Sequence, residues 1–287
     1  MSKIKFMKSK NLKTYCITTK KFSFLESLNL NIIVGGANDK IENFPESWLL
    51  DSDNINISSK NKNFGTLTSI YAIWKNELTE CNKNTWIGIS HYRRFWLKNN
   101  HDKIISFDNL NENLLDSIPD EDLKYDAFVA SPRTLTGYKP MKLIKKAHRN
   151  ILQDPFILFN KKKHTIKLHF DMFHMYDGLI KASSVMTGEQ KEAFLNYINN
   201  KTQYIPFSIF VLKRDKFYEL CQSTFEWISN CEKIFDINNF KGYGQVRFFD
   251  FLAERYFSFW IEHNTNYKTQ PFAICDPIYN QNFKIIS

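Results

Sequence analysis

Apolar positions in the first hundred residues come in short runs bounded by polar turns, the signature of buried strands. Thr14 to Thr18, Asn31 to Val34 and Thr85 to Ser90 read as strands on this basis. Between the last two, Leu67, Ile70, Tyr71, Trp74 and Leu78 recur at helical spacing. Thr66 to Leu78 therefore reads as a helix with one buried face and Asn63 or Thr66 as its N-cap. Leu110 to Ile118 suits a short helix, Tyr125 to Ser131 a strand, and Pro140 to Ile151 a helix crowded with Lys142, Lys145, Lys146, His148 and Arg149. The alternation from His164 to Phe170 predicts a strand, followed by a loop or short helix over Asp171 to Ile180. Thr187-x-x-Gln190 has the form of a capping box opening a helix through Asn196. Helical spacing dominates the last third, with Phe217, Leu220, Cys221, Thr224 and Trp227 in Arg214 to Asn230, and Phe249, Leu252, Ala253, Tyr256 and Trp260 in Gln245 to Ile261. The pattern predicts an α/β chain whose central sheet is flanked by helices and whose C-terminal third is largely helical.

Composition agrees with a globular protein. The 287 residues are 43% hydrophobic, with 26 Phe against 9 Gly and 8 Pro, which excludes a disordered or low-complexity chain. Cys16, Cys81, Cys221, Cys231 and Cys275 are an odd number without a CxxC pair. That spacing suits neither a disulfide framework nor a zinc site, and a reducing compartment is the expectation. No apolar run approaches the roughly 20 residues that span a bilayer, and Met1 to Lys10 lacks a signal-peptide core. The expected location is the cytoplasm; the basic helix reads as a solvated face, with peripheral contact at the inner face of the membrane as the alternative. A net charge of +9 favours an anionic partner without choosing among nucleic acid, phospholipid and phosphorylated substrate.

The strongest chemical signal lies where the third strand ends. Trp86-Ile87-Gly88-Ile89-Ser90 empties into His91, Tyr92, Arg93 and Arg94. Ligands of open α/β sheets bind at the carboxyl ends of strands, and guanidinium groups offer a fixed fork of donors to phosphate or carboxylate. Gly35-Gly36 follows the second strand and allows close approach of a ligand to backbone, although such pairs also serve as plain turns. Asp51 and Asp53 have the DxD spacing that can hold a divalent cation, in a segment otherwise typical of turns.

Three ordered motifs carry a resemblance. Asn56-Ile57-Ser58-x-Lys60-Asn61, Leu67-Thr68-x-x-Tyr71-x-x-Trp74-Lys75-Asn76 and Ile87 to Trp96 resemble the DUF4422 family. The match continues through His174-x-x-Asp177, Pro206 to Phe210, Gly244 to Arg247 and Phe251-Leu252-Ala253-Glu254-Arg255, roughly Ile33 to Ile261 overall. It departs at Thr66, where the family commonly has an acidic residue, at Ser208-Ile209, which replace an Asn-Met pair, and at Asp250, which replaces a glycine. The resemblance implies a GT-A-like single domain of the kind encoded in bacterial capsule and O-antigen (lipopolysaccharide) gene clusters. Residues 1–135 would form its nucleotide-sugar-binding half and 136–287 its acceptor-side, helical half. The implied activity is transfer of a hexosyl or related sugar from a nucleotide-sugar donor to a glycan or lipid-linked glycan.

Residue roles follow as expectations. Gly35, Gly36, Asn61, His91, Tyr92, Arg93, Arg94 and Arg247 would bind the donor, with the arginines taking the place of a metal at the diphosphate. Asp177, set among His169, Asp171, His174 and Tyr176, is the first choice of general base, with Asp126 and Glu254 its competitors. His174 and Tyr176 would contact the acceptor. No cofactor is expected, and the alternative is Mn2+ or Mg2+ on Asp51 and Asp53. Two rival classes stay open: a non-catalytic nucleotide- or sugar-binding protein, and a nucleic-acid-binding protein. No recognisable nucleic-acid-binding motif supports the second.

Overall fold

A single reversed strand near the middle of the sheet determines which distant residues meet. The computed structural model describes residues 11–276 and 280–287, so the polar stretch Met1 to Lys10 lies outside the described residues. The strands are β1 (Leu12–Thr18), β2 (Asn31–Val34), β3 (Leu49–Leu50), β4 (Trp86–His91), β5 (Arg94–Trp96), β6 (Ala127–Val129), β7 (Arg133–Thr134), β8 (Gln203–Tyr204), β9 (Phe210–Lys213), β10 (Tyr267–Thr269), β11 (Phe272–Asp276) and β12 (Asn280–Ile286). The main path of the sheet runs β10-β6-β9-β4-β1-β2-β3. Its neighbours pair in parallel except at β9, which is antiparallel to both β4 and β6. Because Ile89 faces Phe210 across that pair, the start of β9 lies beside the end of β4. β4 turns through Tyr92 and Arg93 into β5, with His91 paired to Arg94, and β5 continues the sheet into β11 and β12. The architecture is the expected mixed central sheet flanked by helices.

Strand periodicity distributes the core over both faces. Tyr15 and Ile17 of β1, with Ile87 and Ile89 of β4, join the large core beneath the helices Arg214–Glu232 and Phe248–Asn264, while Cys16 points into a second core with Ile32, Val34, Phe95 and Leu97. Cys221 is fully buried in the large core, as its helical spacing implies.

Several local expectations are corrected. The strand predicted from Thr85 to Ser90 is Trp86–His91, so His91 belongs to the sheet. The stretch His164 to Phe170 is helix, not strand: Thr165 accepts a bond from the Leu168 amide and opens Ile166–Phe173, which is buried on most of its circumference and so lacks a clean helical stripe. The capping box does not form, because Thr187 makes no side-chain cap and Gln190 donates to the Tyr256 hydroxyl, although the helix runs Gly188–Asn200. The basic helix breaks at Ala147 into Pro140–Lys146 and His148–Gln153. The last long helix starts anew at Phe248 after a short turn, Tyr243–Val246, leaving Arg247 at the junction. Neither Asn63 nor Thr66 caps the helix at Leu67: Asn63 donates to the Val246 carbonyl and Thr66 to Asp250.

Candidate active site

The turn after β4, the loop after β2, the approach to β9 and the start of the helix Phe248–Asn264 enclose a cavity of about 420 Å³. Its wall includes Gly35, Asn61, His91, Tyr92, Arg93, Arg94, Arg247 and Glu254 of the expected residues. Lys62, Gly65, Thr66, Phe207, Ser208, Tyr243, Asp250 and Phe251 also line it, and no sequence signal had singled these out as ligands. Both halves of the chain contribute. Four cations, Lys62, Arg93, Arg94 and Arg247, face two carboxylates, Asp250 and Glu254, so the cavity is net positive.

Its donors are held but not satisfied. His91 Nε2 and the Nε atoms of Arg93, Arg94 and Arg247 are buried without a hydrogen-bond partner. A buried polar atom left unpaired costs about 1–3 kcal/mol, and four of the nine such side-chain atoms among the described residues belong to residues of this one wall. The Arg94 guanidinium lies 4.1 Å over the Phe207 ring, and that of Arg93 5.1 Å over Tyr92, with Asp276 3.8 Å away. Arg247 donates to Asp250 at 2.6 Å and to the Tyr243 hydroxyl at 2.9 Å. It can lie there because residue 65 is glycine. With φ at +51°, a Cβ at Gly65 would come 2.2 Å from Arg247 Nη2.

Burial governs the protonation states. It pushes His91 down to about 3, with Arg94 and Arg247 adding to the effect, so the imidazole is neutral in the empty cavity. Burial lowers Arg94 as well, partly offset by Glu254. For Arg247 burial also works against the charged form, but Asp250 and Tyr243 outweigh it and the net direction is up. Asp250 is raised by burial, against the pull of Arg247 and Thr66. Thr66 and Asp250, the two departures from the family pattern that change an acidic position, touch each other: the Thr66 hydroxyl donates to Asp250 at 2.6 Å and its amide at 3.2 Å.

Glu254 is fixed from two sides. The Phe207 amide donates to it at 2.6 Å, and Arg255, fully buried, donates to its other oxygen. Phe207 and Ser208 both hold positive φ, +80° and +52°, an uncommon conformation for residues with a Cβ, and the Glu254 contact pins this turn against the cavity.

Asp177 is elsewhere. It sits at φ +53° ahead of the helix Gly178–Ser183, its carboxylate 2.7 Å from Lys167 Nζ, and it does not line the cavity, whereas Glu254 does. His174 and Tyr176 line a second, more open cleft together with Arg149 and Gly244. The two hollows share Tyr243. His174 stacks on Phe251 at 4.0 Å and bonds through Nδ1 to the Gly244 carbonyl; burial pushes it down to about 3.

Asp51, Gly36 and Asn61 serve the frame. The buried Asp51 carboxylate accepts from the amides of Gly36 and Ala37 at 2.7 and 2.9 Å, from the Ser58 hydroxyl at 2.6 Å and from the Thr68 hydroxyl. Four donors leave it nothing to offer a cation, and Asp53 accepts from the Leu50 amide, so the alternative metal site on this pair does not fit. Asn61 donates to the Gly65 carbonyl and the Thr68 hydroxyl, bracing the cavity's wall. Asn76 of the Trp-Lys-Asn motif clamps the loop through both backbone groups of Ile55. Among the described residues no set of three His, Cys, Asp or Glu is grouped as metal ligands.

With this geometry in hand, the comparisons can be placed. The family described as Domain of unknown function (DUF4422) matches residues 13–265, and the chain belongs to it. The apo structure of WbbM, a bifunctional glycosyltransferase, is similar in fold, with a TM-score of 0.65 at 18% identity. The likeness covers 93% of this chain but 47% of that one, so this chain spans about half its length. Curated proteins give no match.

Proposed function

We propose that this DUF4422 protein is a glycosyltransferase that moves a sugar from a nucleotide-sugar donor to a glycan acceptor. The observation that carries the reading is the meeting of Arg93, Arg94, Arg247 and His91 in the wall of one cavity at the end of β4, three guanidinium groups and an imidazole that each keep a buried nitrogen without a hydrogen-bond partner. A diphosphate supplies the acceptors these donors lack, and a leaving nucleoside diphosphate gains negative charge as the glycosidic bond breaks. Fixed guanidinium groups stabilise that charge where it develops. The likeness of fold to a bifunctional glycosyltransferase agrees with this reading.

In this scheme Glu254 takes the proton of the acceptor hydroxyl, its orientation set by the Phe207 amide and Arg255. The acceptor enters from the cleft of His174 and Tyr176, past Tyr243. Arginine does the work given to a divalent cation elsewhere, so turnover persists in EDTA. A non-catalytic nucleotide-sugar binder would use the same arginines and leave Glu254 only its structural contacts with Phe207 and Arg255.

A panel of nucleotide sugars tests the proposal. One donor should raise the melting temperature and be slowly cleaved to nucleoside diphosphate without acceptor. Glu254→Gln should lower turnover on the order of 100-fold while donor binding changes little. Stabilisation without cleavage by any donor would make the protein a binder, and loss of turnover in EDTA restored by Mn2+ would overturn the metal-free scheme.

A further inference from the structure

The segment 139–163 gathers most of the chain's imbalance of charge. Eight Lys and Arg stand there against one acid, Asp154, for a net +7 out of the whole chain's +9. Asp154 is itself consumed internally, capping the Phe156 amide and pairing with Lys163. The same segment holds Met141, Ile144, Leu152, Phe156 and Phe159, five of the eleven large apolar side chains that are exposed among the described residues. Leu152 is 82% exposed, Phe156 68% and Phe159 83%.

The arrangement follows from how the segment folds. Leu143, Ala147 and Ile157 turn inward onto Leu168 and Met172 and close a small core, which fixes the opposite positions outward. Met141, Ile144 and Lys145 share one face of Pro140–Lys146 by their i, i+3, i+4 spacing. Phe156 and Phe159, three apart about the 3-10 turn Pro155–Leu158, project on the same side. Lys161 and Lys162 follow immediately and are exposed. Scattered single apolar residues need no explanation, but aromatic and aliphatic tips interleaved with unpaired cations fit an interface that is oily below and anionic above.

We infer that this face docks on an anionic lipid bilayer, with Phe156, Phe159 and Leu152 entering the headgroup boundary and the lysines meeting lipid phosphates. Charge complementarity and the aliphatic tips select the bilayer: a neutral protein partner would leave the cations unanswered, and a nucleic acid, whose bases can stack on the phenylalanines, would leave Leu152, Met141 and Ile144 in water. Arg149 belongs both to this face and to the wall of the second cleft, so docking brings that cleft to the membrane surface, where a lipid-borne acceptor is within reach. The link to an acceptor rests on the glycosyl-transfer reading; the docking itself does not.

Cosedimentation of the full chain with vesicles, without any nucleotide sugar, tests the docking. The protein should pellet with phosphatidylcholine vesicles containing phosphatidylglycerol, remain in solution with phosphatidylcholine alone, and be released by salt. Phe156→Ser with Phe159→Ser should weaken binding on the order of tenfold or more, and Lys161→Ala with Lys162→Ala about fivefold for each lysine removed. Both pairs are exposed, so melting temperatures should match the parent and separate a lost contact from a lost fold. Equal binding to neutral and anionic vesicles, or full binding by the double serine variant, would overturn the inference. Displacement from vesicles by RNA that binds the serine variant equally well would assign the face to nucleic acid instead.

Discussion

Two polar clusters lie next to each other at the carboxyl edge of the sheet and treat their hydrogen-bond donors in opposite ways. At Asp51 four donors share one acceptor: two amides and two hydroxyls converge on one buried carboxylate and tie the loop after β2 to the helix at Leu67. Around Arg93, Arg94, Arg247 and His91 one nitrogen of each is buried and unanswered. Folding accounts for the first arrangement without any ligand. The second costs stability unless something binds, which is how a site differs from a joint. From sequence the arginines already carried the stronger signal, and the aspartates offered an alternative metal site.

The comparison can be broken most sharply at Asp51. Asp51→Ala strands four donors and should cost about 4 kcal/mol by urea unfolding, a fall on the order of 10 °C in melting temperature. An undiminished melting temperature would remove the distinction between the clusters. Next, Arg93→Ala with Arg94→Ala should leave the stability of the empty protein within about 1 kcal/mol while weakening nucleoside diphosphate binding and turnover on the order of 100-fold or more. A fall in stability matching that of Asp51→Ala would make the arginines part of the frame.

A pH series sharpens the contrast with a smaller effect. The His91 value is about 3 in the folded chain against an ordinary 6.5, so the unfolded chain binds the proton first as pH falls. The stability this neutral histidine contributes is present above pH 6.5 and declines toward pH 3, by at most about 1.4 kcal/mol per unit. His169 and His174, held at about 2 and about 3 by burial, act in the same direction. Of the three, only His91 lines the first cavity. A bound diphosphate should raise its value and flatten its share of the slope, and His91→Asn should abolish that ligand effect in melting curves recorded from pH 7 to pH 4. The smallest effect is expected from Gly65→Ala. Its positive φ costs about 1 kcal/mol, and its Cβ displaces Arg247, so donor affinity should fall less than in the double arginine variant.

Much of this was legible from local pattern. The β2 bounds, the long helices near 214 and 248, and the change from apolar strand to His-Tyr-Arg-Arg at the end of β4 are written in adjacent residues, and the arginine pair does line the cavity. Misreadings arose where tertiary burial overrode periodicity. Ile166–Phe173 is buried nearly all round, so neither period shows, and the Thr187 cap yields to a better partner for Gln190. Asp177 has the right chemistry and neighbours for a base but is committed to Lys167.

The sequence by itself determined the elements and the kind of chemistry at a strand's end, because hydrophobic period and side-chain type are local properties. Which polar groups end up paired was decided only by the tertiary structure. Satisfaction depends on neighbours from far along the chain: β9 runs against β4 and carries Phe207 to Arg94, the last helix brings Arg247 to Gly65 and Glu254 to Phe207, and Thr68 reaches Asp51. Desolvation is set by everything packed around an atom, so a guanidinium becomes a binding group or a surface charge only when the whole fold has closed around it.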